Sequence, residues 1–175
     1  QICGMRHRPS GVHARPHIDT EVPMHRITST LSRFQPIALL ILRVALGAVF
    51  ITHGIDKFRA GLDMVEGAFA GWGVPAAGTA AAFAAGLEVI GGIALVIGLG
   101  TRLAAGLLGL VMIGALIFVK AELGIISTTP MPGAEIDIAL LAGLVVLFIV
   151  GPGSAAVDSA IGVESRASLR PVAAD

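Results

Sequence analysis

Long apolar segments dominate the chain. Four of them lie at about residues 36–56, 76–100, 103–119 and 135–150. Each is continuously apolar and does not alternate between apolar and polar positions, which is typical of helices that cross a membrane. Because a helix needs roughly 20 such residues to cross about 30 Å of hydrocarbon, the pattern predicts an all-α fold, an integral membrane four-helix bundle.

The connections between these segments predict how the helices pair. Only a few residues around Arg102 separate the second and third segments, so we expect these two helices to be antiparallel neighbours. In the first connection, apolar residues recur at helical spacing at Leu62, Val65, Phe69 and Trp72. This spacing predicts a short interfacial helix after the first span.

Both ends of the chain are polar. Residues 1–35 are rich in Arg, His and Pro, and we expect them to form a disordered basic cytoplasmic tail. The four-helix transmembrane domain is predicted over 36–153, followed by a short cytoplasmic tail over 154–175. A proline separates His13 from His17, so no metal site is predicted in the first tail. The first apolar segment starts too far from the N-terminus for a cleavable signal peptide, and we expect it to act as a signal anchor.

Composition and charge agree with a membrane location. Hydrophobic residues make up 55% of the 175 positions and charged residues 14%, against about 25% in soluble domains. Twelve cations balance twelve anions, which argues against nucleic-acid binding. Most cations lie in the two tails and the second connection, so the positive-inside rule predicts that both termini are cytoplasmic. A single cysteine, Cys3, excludes an internal disulfide.

Ionisable side chains inside the apolar segments are the strongest functional signal, because each costs at least ~2.5 kcal/mol at the bilayer centre. Arg43 lies in the first segment and Glu88 in the second. Antiparallel packing brings them to similar depths, which predicts a structural ion pair between Arg43 and Glu88. Arg102 competes for Glu88 from the inner edge. The pair either fixes the helix register or takes part in ligand binding.

A second group of polar residues is predicted at the outer end. His53 and Lys57 share a helix face, and Glu135 opens the fourth segment on the same side. These three side chains form a possible ligand-binding cluster or serve as ordinary interfacial anchors. Since histidine titrates close to neutral pH, His53 is suited to exchange a proton while a ligand is reduced or oxidised.

Small residues of the second segment are expected to serve helix packing. Gly91 and Gly92 follow Glu88 on the same face. A second row at a spacing of four consists of Gly78, Ala82 and Gly86.

Several short stretches also occur in a distinctive order. They are Leu42–Gly47, His53–Phe58, Gly71–Pro75, Leu87–Gly92, Gly98–Ala105, Glu135 and Gly151–Gly153. Over about residues 37–158, the sequence resembles the DoxX family of bacterial four-helix membrane proteins. The resemblance implies a multi-pass protein of the bacterial inner (plasma) membrane. The ligand-binding candidates on the family's pattern are Arg43, His53, Lys57, Glu88, Arg102 and Glu135.

Three functions remain open. The resemblance favours a redox-associated membrane subunit, in which the bundle holds a quinone and His53, Lys57 or Arg43 donates hydrogen bonds to its carbonyl oxygens. Its partners would be redox or sulfur-metabolism proteins. The first alternative is a non-catalytic membrane scaffold or assembly factor, which can also form a homo-oligomer. The second, less favoured, is a small-anion carrier that uses Arg43 and Lys57 as binding cations.

Enzyme status is left open by the sequence. It contains no thiol pair, no second transmembrane histidine and no nucleotide-binding loop, and therefore no self-contained catalytic motif. No cofactor is encoded, so redox chemistry would depend on a quinone or on a partner subunit.

Overall fold

Helices account for the regular structure of the chain. The computed structural model describes residues 33–121, 124–126 and 133–162, and there are no strands in these ranges. The predicted all-α fold is confirmed for this part of the chain. The disordered tail predicted at the N-terminus falls almost entirely outside the described residues, as does the end of the C-terminal tail.

Six helices follow one another along the described chain. They are α1 (Gln35–Ala60), α2 (Leu62–Gly71), α3 (Ala77–Ile97), α4 (Thr101–Gly114, continued by a π-helical turn over Ala115–Val119), α5 (Glu135–Val150) and α6 (Val157–Ala160). The predicted helix after the first span is thus present as α2, and its location at a membrane interface stays a prediction.

Among the described helices, three are long and apolar enough to cross a membrane: α1 with 26 residues, α3 with 21, and α4 together with its π-helical turn with 19. Helix α5 has 16 residues, a length of about 24 Å. It starts beside Lys120 and ends near the turn between α3 and α4, so it runs along the bundle. A fourth membrane crossing by α5 and the cytoplasmic location of both termini stay predictions.

Glycines set the sharp turns between the helices. Gly61, with φ +92°, ends α1 and lets α2 begin one residue later. Gly98 and Gly100, with φ +74° and +58°, make the turn between α3 and α4. Because residues with side chains rarely adopt these positive φ values, glycine is required for such short connections.

Close packing of α1 on α3 fixes the register of the bundle. A Cβ atom on Gly47 would lie 2.6 Å from the carbonyl oxygen of Gly92, and a Cβ on Gly54 would lie 2.8 Å from that of Ala85. The predicted packing role of Gly92 is therefore confirmed, because only small residues permit this approach.

The other small residues of α3 behave differently. Gly91 faces the side chain of Leu108 on α4. Of the packing row expected at Gly78, Ala82 and Gly86, Gly78 faces a neighbouring helix, since a Cβ there would lie 2.8 Å from the Glu66 carboxylate on α2. The row is wrong at its other two positions, since Ala82 is exposed and a Cβ on Gly86 would have no neighbour within 4 Å.

Candidate ligand-binding site

A cavity of about 650 Å³ lies among α1, α3, α4 and α5, with the end of α2 on one side. Its volume falls within the roughly 300–1,000 Å³ of typical ligand pockets. Much of the wall is aromatic: Phe50, Phe69, Trp72, Phe83 and Phe118 line it. Such a wall suits a ligand with a flat apolar ring.

Five titratable side chains from the described chain also line the cavity: His53, Lys57, Glu88, Lys120 and Asp137. Three of them, His53, Lys57 and Glu88, are predicted site residues, and the structure brings these three together at one cavity.

The first ion pair of the cavity joins Lys57 on α1 to Glu88 on α3. The ammonium Nζ of Lys57 donates a hydrogen bond to Oε2 of Glu88 at 2.5 Å. The Glu88 side chain is 3% exposed and that of Lys57 is 22% exposed. Each residue lies one turn from the Gly54–Ala85 contact, so the close packing of the two helices holds the pair together. A buried carboxylate of this kind requires such a partner.

The second ion pair joins Lys120 to Asp137, with 3.9 Å between Nζ and Oδ2. Lys120 follows the π-helical turn, and its backbone N–H donates to the carbonyl oxygen of Ala115. Asp137 lies in the first turn of α5. Turns with this wider hydrogen-bonding pattern occur frequently at functional sites, where they change the direction of a side chain.

Glu135 does not belong to this cavity. It is exposed, whereas Asp137 is part of the wall. Two residues along a helix correspond to about 200° around its axis, so the two carboxylates face nearly opposite directions. The predicted cluster of His53, Lys57 and Glu135 is therefore wrong in its third member. The helical spacing from Asp137 to Leu140 and Leu144, which line the cavity and the core, is the sequence signal that identifies the correct carboxylate.

Comparisons with known proteins agree with this membrane-protein architecture. The sequence model of the DoxX family matches residues 38–121. The chain is 36% identical over 123 residues to "Putative oxidoreductase CatD" of Bacillus subtilis (strain 168), covering 70% of this chain and 85% of that protein. It is 31% identical over 140 residues to "Uncharacterized membrane protein Rv3486" of Mycobacterium tuberculosis (strain ATCC 25618 / H37Rv), covering 75% and 86%. The chain belongs to the DoxX family. No solved structure matches it.

In this DoxX protein, Arg43 does not pair with Glu88. Its side chain is buried, and its Nη1 and Nη2 atoms donate hydrogen bonds to the carbonyl oxygens of Pro152 and Ala155, at 2.9 and 2.6 Å. The predicted ion pair is therefore wrong. Side chains on a helix point toward its N-terminus, so Arg43 points away from the level of Glu88 while Lys57 points back toward it.

Asp158 completes a second polar cluster around Arg43, at the end of the bundle where α3 turns into α4. Its carboxylate accepts hydrogen bonds from the backbone N–H groups of Gly100 and Thr101, at 2.7 and 3.0 Å. Its own N–H donates to the carbonyl oxygen of Gly98. We call Arg43, Asp158 and the backbone they bind the C-terminal clasp. The clasp holds the segment after α5 against the start of α4, where a carboxylate compensates the unpaired N–H groups and the helix dipole.

Arg102 binds the end of α5. Its Nη1 and Nη2 atoms donate to the carbonyl oxygens of Phe148 and Val150, at 3.2 and 3.4 Å. A cation at this position satisfies the last carbonyl groups of a helix. Neither Arg43 nor Arg102 lines the cavity. These two of the six predicted site residues instead have structural contacts with backbone carbonyl oxygens outside it. The structural role of Asp158 and the cavity positions of Lys120 and Asp137 were not predicted from the sequence pattern.

Proposed function

We propose that this DoxX protein is a redox-associated protein of the bacterial inner membrane that binds a quinone-class ligand in its cavity. The observation that supports the proposal is the placement of two lysine–carboxylate pairs on an otherwise apolar and aromatic wall. A quinone has apolar ring faces and carbonyl oxygens at its edge, and therefore needs both kinds of surface.

Hydrogen bonding to the ligand would come first from Lys57. An ammonium group has three N–H donors, and Glu88 accepts from one of them. The carboxylate holds the ammonium in place, so that a remaining N–H is available to a carbonyl oxygen in the cavity. Lys120 provides a second cation on the wall formed by α4 and α5. His53, on the same face of α1, also lines the cavity and would provide a further hydrogen-bonding group for a bound ring.

The link to redox chemistry has further support in the relatives. One relative is named "Putative oxidoreductase CatD", and the name refers to that relative and not to this chain. For this chain we propose that a partner protein of redox or sulfur metabolism exchanges electrons with the bound ligand, since the protein supplies binding and orientation.

The alternative is a non-catalytic scaffold. It is favoured by the finding that Arg43, Arg102 and Asp158 all hold backbone groups together. A scaffold would need no ligand in the cavity. A small-anion carrier is disfavoured, because Arg43 lies outside the cavity and Lys57 is already paired with a carboxylate.

Trp72 gives a direct test of ligand binding. It is the only tryptophan of the chain, which also lacks tyrosine, and it lines the cavity. The purified protein in phosphatidylcholine liposomes, which contribute no tryptophan, is titrated with a benzoquinone carrying a short alkyl chain while Trp72 fluorescence is measured. We expect saturable quenching. The double variant Lys57→Met/Glu88→Gln removes the ammonium donor without leaving a buried charge unpaired, and it should weaken the apparent affinity about tenfold, the equivalent of one hydrogen bond.

Two alanines on α3 provide the matched control. Ala80 lines the cavity, whereas Ala82 is exposed and lies outside it. Ala80→Phe should abolish saturable quenching because the new ring fills the cavity, and Ala82→Phe should leave it unchanged. Quenching that rises linearly and equally in both variants would mean simple partition into the membrane. That result, together with a stable partner protein in pull-downs, would favour the scaffold.

A further inference from the structure

The cavity has buried and exposed lining residues. Phe50 and Met112 line it and are buried. The exposed ones include a pair on neighbouring helices, Phe83 on α3 and Leu110 on α4, which are 60% and 65% exposed. Side chains that contact both the cavity and the exterior lie at its rim, so one opening of the cavity lies between α3 and α4. Other exposed lining residues include His53 on α1, Trp72 after α2 and Ile136 on α5.

Helices α3 and α4 are in contact about 11–12 Å from the turn that joins them, where a Cβ on Gly91 would lie 3.1 Å from the side chain of Leu108. The residues of the opening lie farther from the turn. Leu110 lies about 15 Å from the turn and Phe83 about 22 Å from it, at a rise of 1.5 Å per residue. Both helices belong to the candidate membrane spans. The opening thus lies at the depth of the hydrocarbon, which is about 30 Å thick.

The residues of the rim define what can pass. Phe83, Leu110 and Phe118 are apolar, and all three are exposed to the exterior. A hydrated anion would lose its water at such a rim without gaining a charged partner, which is strongly unfavourable. An apolar chain loses nothing there, since lipid and rim are equally apolar.

This inference rests on the proposed function. We propose that the ligand is an amphipathic lipid. Its polar ring contacts the Lys57–Glu88 pair, and its apolar tail passes between Phe83 and Leu110 from the cavity into the bilayer. The ligand enters the protein from the membrane through this opening. A cavity of about 650 Å³ is sufficient for the ring and the first part of the chain, and the lateral opening leaves the rest of the tail among the lipids.

Photo-crosslinking tests the position of the tail. The probe is a benzoquinone whose decyl chain carries a diazirine at mid-chain, added to the full-length protein in phosphatidylcholine nanodiscs. Labelled residues are identified by mass spectrometry. We expect labels on α3 and α4 around the rim, removed by an excess of unlabelled ligand. Labels spread equally over other exposed apolar positions, such as Ile41 on α1 and Ile149 on α5, would overturn the proposal.

A second probe distinguishes a specific ligand from an ordinary lipid. It has the same diazirine chain on a phosphatidylcholine head. Equal rim labelling by this probe would mean that a bilayer acyl chain occupies the opening, which overturns the proposal. Saturable Trp72 quenching with labels away from the rim would contradict the lateral opening alone. Absence of saturable quenching would instead contradict the proposed function, and this inference with it.

A pair of variants on α3 gives an independent measure. Phe83→Ala removes one side of the rim, and Ile90→Ala removes an equally exposed side chain that lies outside the cavity. Phe83→Ala should weaken binding of the decyl-chain quinone several-fold more than binding of the ring without a chain. Ile90→Ala should affect neither. Equal effects of Phe83→Ala on both ligands would show that the tail does not contact the rim.

Discussion

Lys57 and Glu88 point toward each other from two antiparallel helices, and their hydrogen bond of 2.5 Å lies at the wall of the cavity. Both side chains lean toward the N-termini of their own helices, which brings the ammonium and the carboxylate to one level. In a low-dielectric interior, neither charge is stable without the other. The same two side chains therefore contribute to the stability of the bundle and provide charged groups at the wall of the candidate site.

Removing the cation of this pair should destabilise the protein. Lys57→Met leaves the Glu88 carboxylate buried without a partner, which costs about 3–5 kcal/mol in comparable buried pairs. Unfolding in mild detergent, followed by circular dichroism, measures the loss. The double variant Lys57→Met/Glu88→Gln has no unpaired charge and should recover most of the stability.

Asp56→Asn is the control for this measurement. It removes an exposed ion pair with Arg59, so the free energy of unfolding should change by less than about 1 kcal/mol. A double variant as unstable as Lys57→Met would mean that packing, not charge, explains the effect of Lys57.

The C-terminal clasp predicts a local effect. Arg43→Met leaves the carbonyl oxygens of Pro152 and Ala155 without their donor. Pro152 is buried whereas Ala155 is exposed, and an unsatisfied buried group such as the Pro152 carbonyl costs about 1–3 kcal/mol. We expect faster proteolysis within 151–162 and a lower unfolding temperature. Asp158→Ala should act similarly through the start of α4, while Arg59→Met, at an exposed position, should have no effect. Unchanged proteolysis in Arg43→Met would contradict the clasp.

The spans could be predicted from the sequence because hydrophobic periodicity is a local property. The segments predicted at 36–56, 76–100 and 103–119 correspond to α1, α3 and α4 with its π-helical turn. The family resemblance is likewise confirmed, since the sequence model of the DoxX family matches residues 38–121.

The partners of the buried charges depend on information that the local pattern lacks. Gly47 faces Gly92, and this contact sets how far α1 is shifted along α3. Because of this shift and the direction of the side chains, Glu88 pairs with Lys57, and Arg43 binds the segment after α5. Predicting Arg43's carbonyl partners would require the path of the chain after Gly151, which no periodicity describes.

Two glycine substitutions should have opposite effects on stability. Gly47→Ala places a Cβ 2.6 Å from the carbonyl oxygen of Gly92, so α1 and α3 must move apart. Gly86→Ala adds a methyl group in open space within α3, where alanine is favoured over glycine by up to about 1 kcal/mol. Unfolding measurements should therefore show a loss for the first and a small gain for the second. Equal effects would mean that the Gly47–Gly92 contact does not limit helix packing.

Cysteine labelling tests the predicted topology with the chain's own thiol. Cys3 is the only cysteine, and in intact cells it should not react with a membrane-impermeant maleimide, because the N-terminus is predicted to be cytoplasmic. In a Cys3→Ser background, Gly67→Cys on α2 should react from outside, since a Cβ there meets no neighbour. Ala160→Cys, exposed on α6, should be protected like Cys3 if α5 crosses the membrane as the fourth span. Labelling of Ala160→Cys from outside, with Cys3 still protected, would place the two termini on opposite sides of the membrane and would contradict the four-span bundle.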